Sequence, residues 1–86
     1  MVWDWGMWSE SWVNMAEFRF LGYLAEIYGK KRVEISLERP GKLRDILGVE
    51  FPEGRSIVLI NGRVGNFNGV IRDGDKVVIM PVISGG

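Results

Sequence analysis

Cysteine, histidine, glutamine and threonine are all missing from this 86-residue chain. Without cysteine, no disulfide can brace the fold. Without cysteine and histidine, thiol nucleophiles, imidazole bases and ordinary zinc sites are excluded. An Asp/Glu-only metal site stays open in principle, but no EF-hand spacing occurs, nor a phosphate-binding G-x-x-x-x-G-K-[ST] or a G-x-S-x-G elbow. These absences predict a protein that is not an enzyme and holds no tightly bound cofactor or metal. The lack of cysteine is compatible with a reducing compartment, so a cytoplasmic location is expected. Charge of one sign is also lacking. Eleven basic and eleven acidic residues cancel, which argues against a phosphate-tracking surface and predicts no nucleic-acid partner. The run Lys30-Lys31-Arg32 is read as a solvated turn and strand start.

What is present is enough for one small domain. A chain of this size buries only about 60% of its unfolded surface, so apolar packing alone must hold a thin core.

Residues 1–14, MVWDWGMWSESWVN, contain all four tryptophans (Trp3, Trp5, Trp8 and Trp12), together with Asp4 and Glu10 and no Lys or Arg. The stretch lacks the basic start and long apolar run of a secretory signal. It is too short and too acidic for a membrane span, so no membrane partner is expected. Trp5, Trp8 and Trp12 stand at i, i+3 and i+7, so a helical turn or two would gather them on one face. Such a face could dock on the domain, on a partner or at a lipid interface. The plainer expectation is a poorly ordered extension, or a natural start at Met15.

From Met15 onward the pattern is regular. In AEFRF, Phe18 and Phe20 alternate with Glu17 and Arg19, the mark of a half-buried strand. YLAEIYG places Leu24, Ile27 and Tyr28 at helical spacing, with Gly29 as a stop. KKRVEISLE alternates again, turning Val33, Ile35 and Leu37 inward, and its strand should pair antiparallel with the first. After Pro40-Gly41, KLRDILG sets Leu43, Ile46 and Leu47 on one helical face, and Gly48 can end that helix. The stretch 48–56 is a loop in which Phe51 plugs the core edge.

The run 57–60 is continuously apolar, which fits a strand covered on both sides. Asn61-Gly62 is a tight-turn signal. A short edge strand follows, then an irregular turn with Phe67, Val70 and Ile71 as inward anchors. RDGD is a second turn. KVVIMP is the last strand; it is expected to be central, and Pro81 to end its pairing. The first and last strands, if adjacent, are parallel. The sum is an α+β domain: a mixed four- to five-stranded sheet with one main helix on one face and a shorter helix. It spans 15–81, leaving VISGG (82–86) as a flexible tail.

The segments FRFLGYLAEIYGKKRVEISL, IVLINGR, IRDGDKVVIMP and VISGG together resemble the MoaD/ThiS family of β-grasp sulfur carriers, relatives of ubiquitin. The resemblance covers 16–86, everything but the Trp-rich lead. It implies a β-grasp fold and a reactive Gly86. The terminal carboxylate would be adenylated by an E1-like enzyme using ATP, then converted by a sulfurtransferase to a thiocarboxylate. A cysteine-free protein could carry sulfur in this way.

Gly85 and Gly86 form a thread thin enough for an enclosed active site. Ser84, Ile83, Val82 and Pro81 set its reach, on the order of 15 Å for the five residues after Pro81. Arg63 and Arg72, with Arg19, are candidate rim contacts for the partner. The leading expectation is a MoaD-like small subunit that donates sulfur for molybdopterin, docked on the large subunit of molybdopterin synthase or an equivalent acceptor enzyme. A ThiS-like donor to thiamin thiazole, a tRNA-thiolation donor, or a modifier forming isopeptide bonds are the alternatives.

Overall fold

Alternation builds the centre of the sheet. The computed structural model describes residues 15–82, apart from the Glu53 side chain. The Trp-rich lead and residues 83–86 lie outside the described residues. In β1 (Ala16–Phe20), Ala16, Phe18 and Phe20 are buried in the core. The chain continues through α1 (Leu24–Tyr28), β2 (Arg32–Ile35), β3 (Gly41–Lys42), α2 (Leu43–Leu47), a 3-10 turn (Glu53–Arg55), β4 (Ser56–Ile60), β5 (Arg63–Gly65), β6 (Val70–Ile71) and β7 (Lys76–Pro81).

Five strands form one mixed sheet in the order β2-β1-β7-β4-β5. β1 and β7 run parallel, with Phe18 opposite Val77 and Phe20 opposite Ile79. The β1–β2, β4–β7 and β4–β5 pairs are antiparallel. The first and last strands are internal, as their apolar patterns predicted; they are also adjacent, and so parallel.

Both helices sit over the same core. α1 buries Leu24, and α2 buries Leu43 and Leu47. Neither is the main helix that the sequence suggested, since each spans five residues. A glycine stops each one within two turns. Gly29 and Gly48 adopt left-handed conformations, and their N–H groups donate to the carbonyls of Ala25 and Arg44. Ile27, expected on the inner face of α1, is exposed instead. In so short a helix Leu24 and Tyr28, four residues apart, take that face.

Val70, expected as an inward anchor, is 54% exposed. β6 pairs with β3 in a separate two-stranded ladder, Gly41 opposite Ile71 and Lys42 opposite Val70. Alternation turns Ile71 inward, so Val70 faces out. Nothing local in Gly41-Lys42 signals a strand. That ladder exists because the chain on either side delivers the two segments together.

A row of rings closes one end of the core. Phe20 stacks on Tyr28 with centroids 4.3 Å apart and on Phe51 at 5.7 Å; Phe51 in turn stacks on Phe67 at 5.7 Å. The row joins β1, α1, the 48–56 loop and the β5–β6 connection. Phe51 is buried, as the sequence reading expected.

The two tight turns also grip each other. Asn61, at φ +54°, donates from Nδ2 to Asp75 Oδ1 (3.0 Å), and its Oδ1 accepts the Lys76 N–H (2.9 Å). Asp75 Oδ2 accepts the Arg72 N–H at 2.9 Å.

The apolar run in β4 is not covered on both sides, contrary to expectation. Val58 belongs to the core and Ile60 packs against it, whereas Ile57 and Leu59 point to the other face. Register puts them beside Met80 and Val78 of β7, and Val64 of β5 stands opposite Leu59. None of these five belongs to the core cluster or packs on it, and both helices lie on the opposite face. Among the described residues this outer face is an uncovered apolar stripe.

Candidate functional site

The tail leaves from the end of β7, so the site begins with what holds that end. β7 lies between β1 and β4. Pro81 was expected to end the pairing, but it is the last residue of the strand and sits opposite Ser56. Pairing runs one residue further: the Val82 N–H donates to the Arg55 carbonyl at 2.8 Å.

Strand geometry explains this tolerance. In an antiparallel pair, alternate N–H groups face the partner strand. Those of Met80 and Val82 face β4, so the donor that proline lacks would have pointed toward β1. β1 has already ended there, at Phe20. The missing donor costs no ladder bond.

Arg55 is presented by the 3-10 turn. The Pro52 carbonyl accepts both the Arg55 N–H (2.9 Å) and the Ser56 hydroxyl (2.7 Å), turning the loop straight into β4. On the β1 side, the Leu21 N–H donates to the Ile79 carbonyl at 2.9 Å. Gly22 then turns the chain away at φ +60°. A Cβ on Gly22 would stand 3.1 Å from the Pro81 Cγ. The root of the tail is thus clamped between Gly22 and Arg55.

Neither residue stands out in the sequence. No local pattern marks Gly22 as packing on a proline 59 positions away. Val82, placed in the flexible tail by the sequence reading, is hydrogen-bonded through its backbone and 45% exposed. Ile83, Ser84, Gly85 and Gly86 lie outside the described residues. From Val82, four residues extended at about 3.3 Å each would carry the terminal carbonyl about 13 Å.

Arg63 and Arg72 are not brought to the tail. Arg63 follows the Asn61-Gly62 turn, where Ile60 pairs with Val77, and Arg72 precedes the turn into Lys76. Both are at the foot of β7, a strand length of about 17 Å from Pro81. Register also sets Arg63 on the Ile60 side of the sheet rather than with the apolar stripe.

Arg19 is on the stripe's face, engaged with Glu17. Glu17 is only 7% exposed, and its Oε2 accepts from Arg19 Nε (2.8 Å) and Arg32 Nε (2.9 Å); Arg32 Nη2 also reaches Glu34 Oε2 at 2.9 Å. This charged cluster flanks the stripe on the β1–β2 half of the sheet. Arg32 therefore does more than the solvated strand start expected of it.

No group of three or more acidic side chains placed to hold a metal occurs among the described residues. No helix among them is long and apolar enough to cross a membrane. Among the described residues the arrangement is a sheet with one apolar face left uncovered and a last strand held on both sides at its end.

Solved structures share this fold. The HVO 2177 protein of Haloferax volcanii matches with a TM-score of 0.60 at 23% identity, over 84% of this chain and 86% of its own. Small archaeal modifier protein 1 of the same organism matches with a TM-score of 0.65 at 21% identity, over 84% and 99%. A protein named as molybdopterin converting factor, subunit 1, from Pyrococcus furiosus matches at 0.59 and 19%, over 80% and 98%. At such identities the likeness establishes the ubiquitin-like β-grasp architecture. No curated protein sequence is similar enough to count as a match. The ThiS family model matches residues 18–86, from the middle of β1 to the final glycine. The chain belongs to the ThiS family, the small ubiquitin-fold carriers and modifiers.

Proposed function

We propose that this protein is a sulfur carrier whose working group is the Gly86 carboxylate. The observation that supports the reading most is that the family match runs through Gly86, while the last described backbone hydrogen bond of β7 holds Val82. Family members are generally non-catalytic and work with E1-like and acceptor enzymes, so the chemistry is supplied by partners.

A carboxylate is a poor electrophile because its charge is shared by two oxygens. Attack of a Gly86 carboxylate oxygen on the α-phosphorus of ATP, with loss of pyrophosphate, gives an acyl adenylate. A sulfide equivalent from a sulfurtransferase then adds to the acyl carbon and expels AMP, leaving a thiocarboxylate. Gly85 and Gly86 keep the thread free of side chains where it enters the enzyme. Ser84, Ile83, Val82 and Pro81 set its length. The open face around Ile57, Leu59, Val78 and Met80, with Arg19 at its rim, is the surface an activating enzyme would grip. Arg63 and Arg72 stand at the far end of the sheet, Arg63 on its other face, so an enzyme would meet them only by wrapping around the β5 edge.

Within the family, the reading we favour is a MoaD-like small subunit that hands sulfur to a pterin precursor of molybdopterin. The similarity of the fold to small archaeal modifier protein 1 supports a second reading, a modifier that ends in an isopeptide bond to a target lysine. One experiment addresses both. The chain is incubated with ATP and an E1-like enzyme, with and without a sulfur donor, and analysed by intact mass. The carrier reading expects an AMP adduct on Gly86 and then a sulfur-for-oxygen gain. Lysine-linked adducts without that gain favour the modifier. A chain lacking Gly85 and Gly86 that folds normally and is still adenylated refutes both.

A further inference from the structure

Two large apolar features stand outside the described core: the outer sheet face and, in sequence, the tryptophan-rich lead. We propose that segment 1–14 docks on the outer face of its own sheet, over Ile57, Leu59, Val64, Val78 and Met80.

Placement makes this contact easy to reach. The segment joins the domain at Met15, whose carbonyl accepts the Gly74 N–H at 2.9 Å, so the chain enters at the foot of β1. Leu59 of β4 is level with Arg19 through Val78, so from Met15 it lies two strand spacings across the sheet and four residues up it, about 16 Å in all. Trp12 precedes Met15 by three residues; extended, these span about 10 Å and bring the segment onto the sheet, and the residues before Trp12 carry it the rest of the way. Trp5, Trp8 and Trp12 at i, i+3 and i+7 share one face of a helical stretch about 10 Å long. That length suits a stripe three strands wide.

The apolar demand is matched on both sides. Val64 is 80% exposed and carries no described cover, and each tryptophan brings about 150–250 Å² of surface to bury. The charges are complementary too. The segment bears Asp4 and Glu10 with no Lys or Arg. The flank of the face carries Arg19, Arg32 and Lys76 against Glu17 and Glu34.

Two rival occupants fit less well. A second copy must compete with a tethered segment whose effective concentration is in the millimolar range. An anionic lipid surface would repel an acidic segment. Seated on the sheet, the segment would cover the surface that an activating enzyme needs. That consequence rests on the proposed function; the docking itself does not.

The chain carries its own probe, because all four tryptophans lie in 1–14 and none in the domain. Their emission therefore reports only the segment. Docking predicts that the folded protein emits well to the blue of the urea-unfolded chain, independently of dilution through the micromolar range. Leu59→Lys should return the emission toward the unfolded value while the far-UV circular dichroism stays native. Val64→Lys provides the same reading at a position too exposed to affect folding, and decides the matter if Leu59→Lys misfolds. Native emission equal to that of the unfolded chain overturns the proposal. So does a blue shift indifferent to both lysines, one that fades on dilution and so marks a second copy, or one that appears only with anionic vesicles.

Discussion

Gly22 and Gly48 form a matched pair for testing the clamp at the root of the tail. Their backbones are nearly alike, at φ +60° and +69°. An alanine at either position must enter the left-handed region, at a cost of about 1–2 kcal/mol. Either one also removes the same freedom from the unfolded chain, so that contribution cancels in the comparison. The surroundings differ. No described residue beyond its neighbours and its own helix comes within 4 Å of a Cβ built on Gly48, whereas one on Gly22 stands 3.1 Å from the Pro81 Cγ and 3.5 Å from its Cδ.

The Pro81 ring can yield only by a change of pucker. It cannot retreat, because β4 holds the strand at Ser56 and again through the Val82–Arg55 bond. Crowding of this kind costs about 1 kcal/mol or more. Gly22→Ala should therefore lose about 1 kcal/mol more than Gly48→Ala, a further 4–8 °C in melting midpoint for a domain of this size. Urea denaturation followed by far-UV circular dichroism measures the difference. The tryptophans are unsuited to it, since they report the lead segment. If the two variants unfold together, Gly22 does not bear on Pro81, and the clamp on the β1 side is wrong.

Other consequences are equally direct. Phe51→Ala breaks the ring row at its middle, between Phe20 and Phe67, and should cost about 3–5 kcal/mol in a urea titration; a loss below 1 kcal/mol would mean that the row is not packed. Asn61→Gly keeps the positive φ while removing the hydrogen bonds to Asp75 and Lys76, for an expected loss of about 1–2 kcal/mol. Asn61→Ala should be worse by about 1 kcal/mol, because it adds left-handed strain to the same loss, and equal stability of the two would refute that division. Deleting Gly85 and Gly86 should leave the melting midpoint unchanged while abolishing the AMP adduct, as read by calorimetry and intact mass.

Local order was legible in the sequence. The Phe18/Phe20 alternation, the Asn61-Gly62 and Asp73-Gly74 turns and the glycine stops after α1 and α2 depend on a few neighbouring residues, and each stands where its pattern put it. The internal position of β1 and β7 also followed, because both strands are apolar, and so did their parallel direction once they are neighbours. The absence of cysteine and histidine removed whole classes of chemistry before any fold was considered, and the closing glycines are what the proposed function rests on.

Tertiary structure decided what depends on residues distant in the chain. An apolar run reads the same whether its second face is covered or open, so only the sheet order and the placement of both helices on one side left Ile57, Leu59, Val78 and Met80 outside the core, with no cover among the described residues. Proline reads as the end of a strand, yet the early finish of β1 put its missing donor where no partner stood. Gly22 and Arg55 became the clamp only when β7 ran between their segments. Arg63 and Arg72 were carried to the far end by strand direction alone. Local propensity is set by nearest neighbours along the chain, whereas the faces and edges of a sheet are set by which strands pair, and pairing is an agreement among segments that no single one of them encodes.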